Sequence, residues 1–233
     1  MRKLLQVSGA AIAIAAMLGA GIALASSQFK QTAKITLTAT KAGASTGFGA
    51  ALASSDPGAP NGQPQALKTL TVTFPTGTKF NFKSTAVKQC AASPLELIAT
   101  KGAACPAKSK IGTGTANANG APVYPTIPEN ATVYVGKGKL LFLLVPAGPV
   151  GSTIPLEGSV SANKLTTPVP VLGSGGLTIV ITELNLKVKA VGSGKQAFVT
   201  AGQCNGSKFT VKSSFAYYTG SPVSLTSSSK CAK

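Results

Sequence analysis

The clearest signal for the fold lies near the C-terminus, where residues 204–231 read CNGSKFTVKSSFAYYTGSPVSLTSSSKC. Bulky and polar side chains alternate along the first half of this stretch, as on a strand with one buried face. The bulky positions are Phe209, Val211, Phe215 and Tyr217. Residues 219–222 then read TGSP, which is typical of a turn. The sequence therefore predicts an antiparallel hairpin that returns through residues 223–230.

The four cysteines predict two disulfide bonds. With the hairpin turn near residue 220, Cys231 falls opposite about residue 209, beside Cys204, so these two are expected to pair. Cys90 and Cys105 then form the second bond, and each bond contributes about 3 kcal/mol by constraining the unfolded chain. A zinc site is the alternative, but the chain has no Cys-x-x-Cys spacing and no histidine.

A short helix is predicted between Cys90 and Cys105. Ser93 can cap its start, Pro94 suits the first helical position, and Glu96 completes a capping box. The pair Lys101 and Gly102 marks its end.

Alternating patterns upstream predict further strands. They lie near residues 33–40, in a hairpin over 67–82 that turns at 75–77, and over 131–135, 138–145 and 157–165. Residues 177–181 are apolar at odd positions and residues 184–188 at even ones. The inward face must therefore switch near Glu183, as at a β-bulge or a crossing between sheets.

The predicted fold is all-β: an antiparallel sandwich, immunoglobulin-like or jelly-roll-like, of about seven to ten strands with one short disulfide-clamped helix. One domain is expected over residues 26–233. Within it, residues 41–66 are rich in Gly, Ala, Ser and Pro and predict a long flexible loop.

The N-terminus predicts export. Arg2 and Lys3 precede an apolar stretch over residues 4–24, and Ala23 and Ala25 suit a signal peptidase, so residues 1–25 read as a signal helix cleaved after Ala25. An uncleaved anchor is the alternative, because such a stretch could just span a bilayer. The expected location is secreted or at the cell surface.

Three stretches resemble an uncharacterised family of secreted actinobacterial β-rich proteins. They are CPAKSKIGTGTA at residues 105–116, KFNFK at 79–83, and the cysteine-bounded C-terminal meander. The resemblance covers most of residues 67–231 and leaves the 41–66 loop outside. It implies export and a β fold, and it implies no catalytic residue.

Composition excludes several functions. Without histidine, a Ser-His-Asp or Cys-His site and a histidine-ligated metal centre are impossible. Arg2 is the sole arginine, which argues against sequence-specific nucleic-acid binding. We therefore expect no enzyme, no catalytic residue, no cofactor and no metal.

Two catalytic arrangements survive as weaker alternatives. A carboxylate pair such as Glu157 and Glu183, near tyrosines, would suit a glycosidase, although a salt bridge with lysine is the simpler role for Glu183. Ser161 and Lys164 have Ser-x-x-Lys spacing, but the segment reads as a strand and no Lys-Thr-Gly strand accompanies it.

We therefore expect a non-catalytic secreted or cell-envelope protein. Its role would be structural or adhesive, or it would bind a partner through a lysine-rich β face. Removing Arg2 and Lys3 lowers the formal net charge from +17 to +15. Asn185, Lys187 and Lys189 alternate with Leu184, Leu186 and Val188, so they form a candidate face for anionic envelope polymer or a membrane surface. A carbohydrate-binding or carbohydrate-active extracellular protein is the alternative.

Overall fold

A computed structural model describes residues 28–173 and 178–232 of the chain. The predicted signal peptide over residues 1–25, with its cleavage site and its anchor alternative, lies outside the described residues.

The described chain is mostly β-strand. Its elements are β1 (Lys30–Leu37), β2 (Phe48–Ser55), β3 (Leu67–Thr73), β4 (Lys79–Phe80), α1 (Pro94–Thr100), β5 (Lys110–Gly120), β6 (Tyr124–Val135), β7 (Lys139–Pro146), β8 (Ile154–Ser161), β9 (Lys164–Pro168), β10 (Val180–Val188), β11 (Val199–Thr200), β12 (Lys208–Tyr217) and β13 (Val223–Lys230). Short 3₁₀ turns occupy Pro60–Gly62, Ala107–Ser109 and Gly194–Gln196.

Eleven strands form one antiparallel sheet in the order β1-β2-β10-β5-β6-β7-β8-β9-β3-β12-β13, and β4 pairs with β11 in a separate two-stranded ladder. Because neighbours are antiparallel and the number of strands is odd, the two edge strands β1 and β13 run parallel to each other. A parallel bridge between Lys41 and Ala232, just past the ends of these strands, agrees with that direction.

The edges β1 and β13 meet, and serine side chains join them. Ser227 Oγ accepts a hydrogen bond from the amide of Ile35 at 3.1 Å and donates to the carbonyl of Ala33 at 3.1 Å. Ser229 Oγ accepts from the amide of Leu37 at 3.2 Å. The sheet is therefore nearly closed and barrel-like. The prediction of an antiparallel β fold is confirmed, but a single sheet curls until its own edges meet, so the arrangement is barrel-like rather than plainly the predicted sandwich.

The C-terminal hairpin confirms the pattern that predicted it. β12 and β13 pair from Lys208 opposite Lys230 to Phe215 opposite Val223, and Phe209, Val211 and Phe215 are almost fully buried. Both predicted disulfides are present, Cys90 with Cys105 and Cys204 with Cys231. Since such bonds form in oxidising surroundings, they fit an extracellular protein.

Helix α1 also forms as predicted. Ser93 Oγ accepts from the Glu96 amide, the Glu96 carboxylate accepts from the Ser93 amide, and Lys101 ends the helix in the left-handed conformation. Its buried residue Leu97 packs with Tyr134, Leu141 and Leu143 on the outer face of the sheet.

Four predictions of strands and loops need correction. The predicted 41–66 loop contains strand β2. Its sequence, FGAALASS, has only two bulky residues and so lacks the alternation that predicts a strand. The hairpin over 67–82 does not form: β3 pairs with β9 and β12, while β4 turns away to β11. The strand over 157–165 is two strands, β8 and β9, joined by a tight turn. Residues 28–173 and 178–232 form thirteen strands, which is more than the predicted seven to ten.

The predicted change of face in β10 is confirmed. Its pairing with β5 is regular on both sides of an irregularity between Ile181 and Glu183. This bulge allows Ile181 and Leu184 both to pack against the core.

Candidate binding groove

The outer face of the sheet is grooved along β2. In β2 the inward positions Phe48 and Leu52 are buried, and the outward positions are Gly49, Ala51 and Ala53. Neighbours within a sheet lie about 4.8 Å apart. A strand with almost no outward side chains therefore leaves a shallow channel between the two strands beside it.

Those neighbours, β1 and β10, form the banks of the groove. Register places Lys34 opposite Ala51 and Thr36 opposite Gly49 on one side. On the other side, Asn185 lies opposite Ala51 and Lys187 opposite Gly49. The groove has a volume of about 380 Å³. Two strand spacings make it roughly 10 Å wide between the banks.

The next strand, β5, extends the polar lining beyond β10. Thr113 pairs with Lys187, Thr115 pairs with Asn185, and both threonines line the groove. Gly114 allows this close approach, because a Cβ there would lie 1.8 Å from the carbonyl oxygen of Asn185. The groove thus offers ammonium, hydroxyl and amide groups.

None of the acidic residues in the described chain forms an ion pair with the lysines of this face. Glu96 is held in the helix cap, and Asp56 and Glu129 are buried. Glu157 pairs with Lys139 at 2.5 Å, which is the one ion pair within residues 28–173 and 178–232. Glu183 accepts hydrogen bonds from Asn117 at 2.9 Å and Asn185 at 2.8 Å, and not from a lysine as expected. Lys34 and Lys187 therefore form no ion pair in the described chain, and the one carboxylate beside the groove is that of Glu183, next to Asn185.

The groove contains only part of the lysine-rich face predicted from the sequence. Asn185 and Lys187 line the groove, whereas Lys189 follows the end of β10 and is not among the lining residues. Lys34 and the floor of β2 were missed by sequence reasoning. The signal that could have found them is the alternation of larger Phe48 and Leu52 with small residues inside the supposed loop.

The residues of the two weaker catalytic alternatives are not arranged for that chemistry. Glu183 on β10 and Glu157 on β8 are separated by three strands of the sheet. Ser161 and Lys164 face each other across the β8–β9 turn as the last pair of a hairpin, not at the start of a helix.

One carboxyl group lies inside the sheet. Glu129 on β6 is 3% exposed, and its Oε2 has no hydrogen-bond partner in the described chain. Burial raises the pKa of Glu129 to about 7. Across the described residues, no group of three or more potential metal ligands is present, and no helix has the length and apolar character needed to cross a bilayer.

Comparison with known proteins adds no family. No protein-family model matches the chain, and no curated protein or solved structure shows significant similarity to it. The resemblance of residues 67–231 to a secreted actinobacterial family thus stays a prediction.

Proposed function

We propose that the chain is an exported, non-catalytic binding protein that holds a linear anionic polymer of the cell envelope in the groove along β2. The single observation that carries this proposal is the outward face of β2, which has only Gly and Ala between two banks that each present a lysine with no ion-pair partner in the described chain. Lys34 stands on one bank and Lys187 on the other.

The shape of the groove favours one extended chain. The groove runs along β2, so a polymer lying in it would contact side chains that are regularly spaced along β1 and β10. A width of roughly 10 Å admits a single chain, and charges on both banks can contact it from either side. The threonines and Asn185 supply hydrogen bonds that a flat lysine surface would lack.

Charge favours an anionic occupant. The full chain carries a formal net charge of +17, and a field of this sign raises the local concentration of negatively charged polymers. Because Lys34 and Lys187 are exposed, their contribution should fall as salt screens it.

The test measures binding to a poly(glycerol phosphate) chain at low and high salt. We expect Lys34→Gln with Lys187→Gln to weaken binding about tenfold or more, since each lysine near an anionic surface contributes about 1 kcal/mol. Lys208→Gln with Lys212→Gln removes the same charge from β12 and should change binding less than about threefold.

Two outcomes would overturn the proposal. If both double variants weaken binding equally, the polymer is attracted by the diffuse positive charge of the protein and is not held in the groove. Binding of an uncharged glucan that salt leaves unchanged, with no binding of the phosphate polymer, would favour the carbohydrate-binding alternative.

A further inference from the structure

The two ends of the barrel-like sheet differ in chemistry. Strands β5, β7, β9 and β12 finish at the same end, where β6, β8, β10 and β13 begin. We call this the apolar end, because four of its connections carry exposed large apolar or aromatic side chains. They are Val123 and Tyr124 at the β5–β6 turn, Val150 between β7 and β8, Val171 after β9 and Tyr218 after β12.

The opposite end of the sheet has no such cluster in the described chain. Within residues 28–173 and 178–232, the other large apolar side chains that are exposed are Leu95 and Ile98. Both lie on helix α1, which packs on the outer face of the sheet. Apolar side chains exposed together on one side of a domain commonly mark a site of interaction.

Charge is sparse at the apolar end. Of the lysines in the described chain, only Lys30 and Lys68 lie there, each within the first two residues of a strand. The nearby carboxyl groups are buried, as in Asp56 and Glu129, or accept hydrogen bonds from asparagines, as in Glu183. Lysines are instead concentrated at the opposite end, at or just beyond the strand ends. They include Lys41, Lys110, Lys137, Lys164, Lys189 and Lys208.

The N-terminal apolar stretch joins the domain at the apolar end. Strand β2 is antiparallel to β10, so it finishes where β10 begins, and Lys30 of β1 pairs with Ser55, the last residue of β2. Residues 4–24 form the apolar stretch in the sequence, and residues 25–29 separate it from β1. Fully extended, this connection spans at most about 18 Å. A bilayer that holds residues 4–24 therefore lies directly beside the apolar end.

The side chains of this end suit the surface of a bilayer. Valine gains free energy by leaving water, and tyrosine favours the headgroup region, which accommodates both its apolar ring and its hydroxyl. The hydroxyl of Tyr218 donates to the carbonyl of Val169 at 2.9 Å, which fixes the ring at this end. Lys68 Nζ lies 6.0 Å from the centre of that ring, where an ammonium group can contact lipid phosphates.

We propose that the apolar end rests on the surface of the lipid bilayer across which the chain is exported. Val123, Val150 and Val171 enter the boundary between headgroups and acyl chains, and Tyr124 and Tyr218 lie at headgroup level. The end that carries most lysines then faces away from the bilayer. This site is independent of the groove, which lies on the outer face of β1, β2 and β10.

The contact uses the described domain alone, so it persists after cleavage at the predicted site. Where residues 4–24 stay in the bilayer, they act as a tether that keeps the apolar end at a high local concentration near lipid. The contact is then stronger without any new interaction in the domain.

The experiment places the full chain in phosphatidylcholine nanodiscs that contain a spin-labelled lipid, which broadens the NMR signals of nearby amides. Neutral lipid is used so that the positive charge of the protein does not by itself attract it. We expect the strongest broadening at Val123, Val150 and Tyr218. Lys137 and Lys164, at the opposite end, should keep sharp signals.

Matched variants separate lipid contact from tethering. Val123→Ser with Val171→Ser replaces side chains that are 62% and 64% exposed. It should lower the ratio of docked to undocked chain, read from the broadening at Val150, at least about tenfold. The control, Leu95→Ser with Ile98→Ser, removes exposed apolar side chains from α1 and should leave the broadening unchanged. Val150→Ser, with the broadening read at Tyr218, serves if the first variant does not fold.

Three outcomes would overturn this inference. Sharp signals throughout the loops of the apolar end, or an equal loss of broadening in both double variants, would show that lipid does not cover this end. Self-association of the exported chain in lipid-free solution that Val123→Ser with Val171→Ser abolishes, without broadening in nanodiscs, would assign this end to a second copy.

The same variants distinguish this inference from the proposed function. Ala51→Leu should abolish binding of poly(glycerol phosphate) and leave the broadening in nanodiscs unchanged. Val123→Ser with Val171→Ser should do the reverse, so either proposal can fail while the other stands.

Discussion

Strands β12 and β2 each bury one face, but their outward faces differ. β12 presents Thr210, Lys212 and Ser214 outward and buries Phe209 and Phe215. β2 presents almost nothing outward. Bulky alternation makes β12 easy to recognise and anchors it in the core. The same absence of side chains that hides β2 in the sequence leaves room for a polymer in the structure.

The largest expected effect is a difference in the free energy of unfolding between a substitution on β12 and a substitution on β2. Phe215→Ala should lower the free energy of unfolding by about 3–5 kcal/mol, because it removes a fully buried aromatic ring and leaves a cavity. Ala51→Leu on β2 should change it by less than about 0.5 kcal/mol, since the new side chain lies in the groove. Chemical denaturation measures both, and similar losses would contradict the assignment of the two faces.

The inward face of β6 departs from the inward face of β12 because it holds a carboxyl group, Glu129, whereas the one neutral polar side chain among the large apolar ones of β12 is Ser213. Burial raises the pKa of Glu129 from 4.5 to about 7. The folded protein therefore binds this proton more tightly than the unfolded chain does. The free energy of unfolding should fall as pH rises from about 4.5 to about 7, then stay level with respect to this group.

Glu129→Gln tests that pH dependence. The variant should lose the fall between pH 4.5 and 7 and be more stable than the parent at pH 8 by on the order of 2 kcal/mol. Thermal unfolding across this range measures it. A parent protein whose stability does not fall in this window would contradict the burial of an ionised Glu129.

A smaller effect is expected at the join between β13 and β1, beside β2. Ser227→Ala leaves the amide of Ile35 and the carbonyl of Ala33 without their partner, and should cost roughly 1–2 kcal/mol. Ser228→Ala, at an exposed neighbouring position, is the control. Hydrogen exchange should show faster exchange at Ile35 in the first variant only, and unchanged protection would show that another contact closes the sheet.

Local signals predicted much of the fold. The alternation in 209–217, the capping box at Ser93 and Glu96, and the change of phase in β10 each depend on residues close in sequence. Both disulfides followed from the same hairpin and the number of cysteines. These features need no knowledge of which distant strands pair.

The rest depends on long-range pairing. Nothing local says that β10 lies between β2 and β5, and this order is what places Lys34 across a groove from Lys187. The hydroxyls of Ser227 and Ser229 on β13 close the sheet by contacting β1. In the sequence, these serines read only as polar side chains of the C-terminal hairpin, so they did not predict a neighbouring strand. The predicted face therefore contained Asn185 and Lys187 but missed the opposite bank.

The most direct test of the groove is an NMR map of amide shifts during titration with poly(glycerol phosphate), in the parent chain and in Ala51→Leu. We expect the largest shifts at Gly49, Ala51 and Asn185, and loss of binding in the variant without loss of stability. Shifts confined to lysines in the turns beyond the strand ends, such as Lys41, Lys137 and Lys164, with unchanged binding by Ala51→Leu, would contradict binding in the groove.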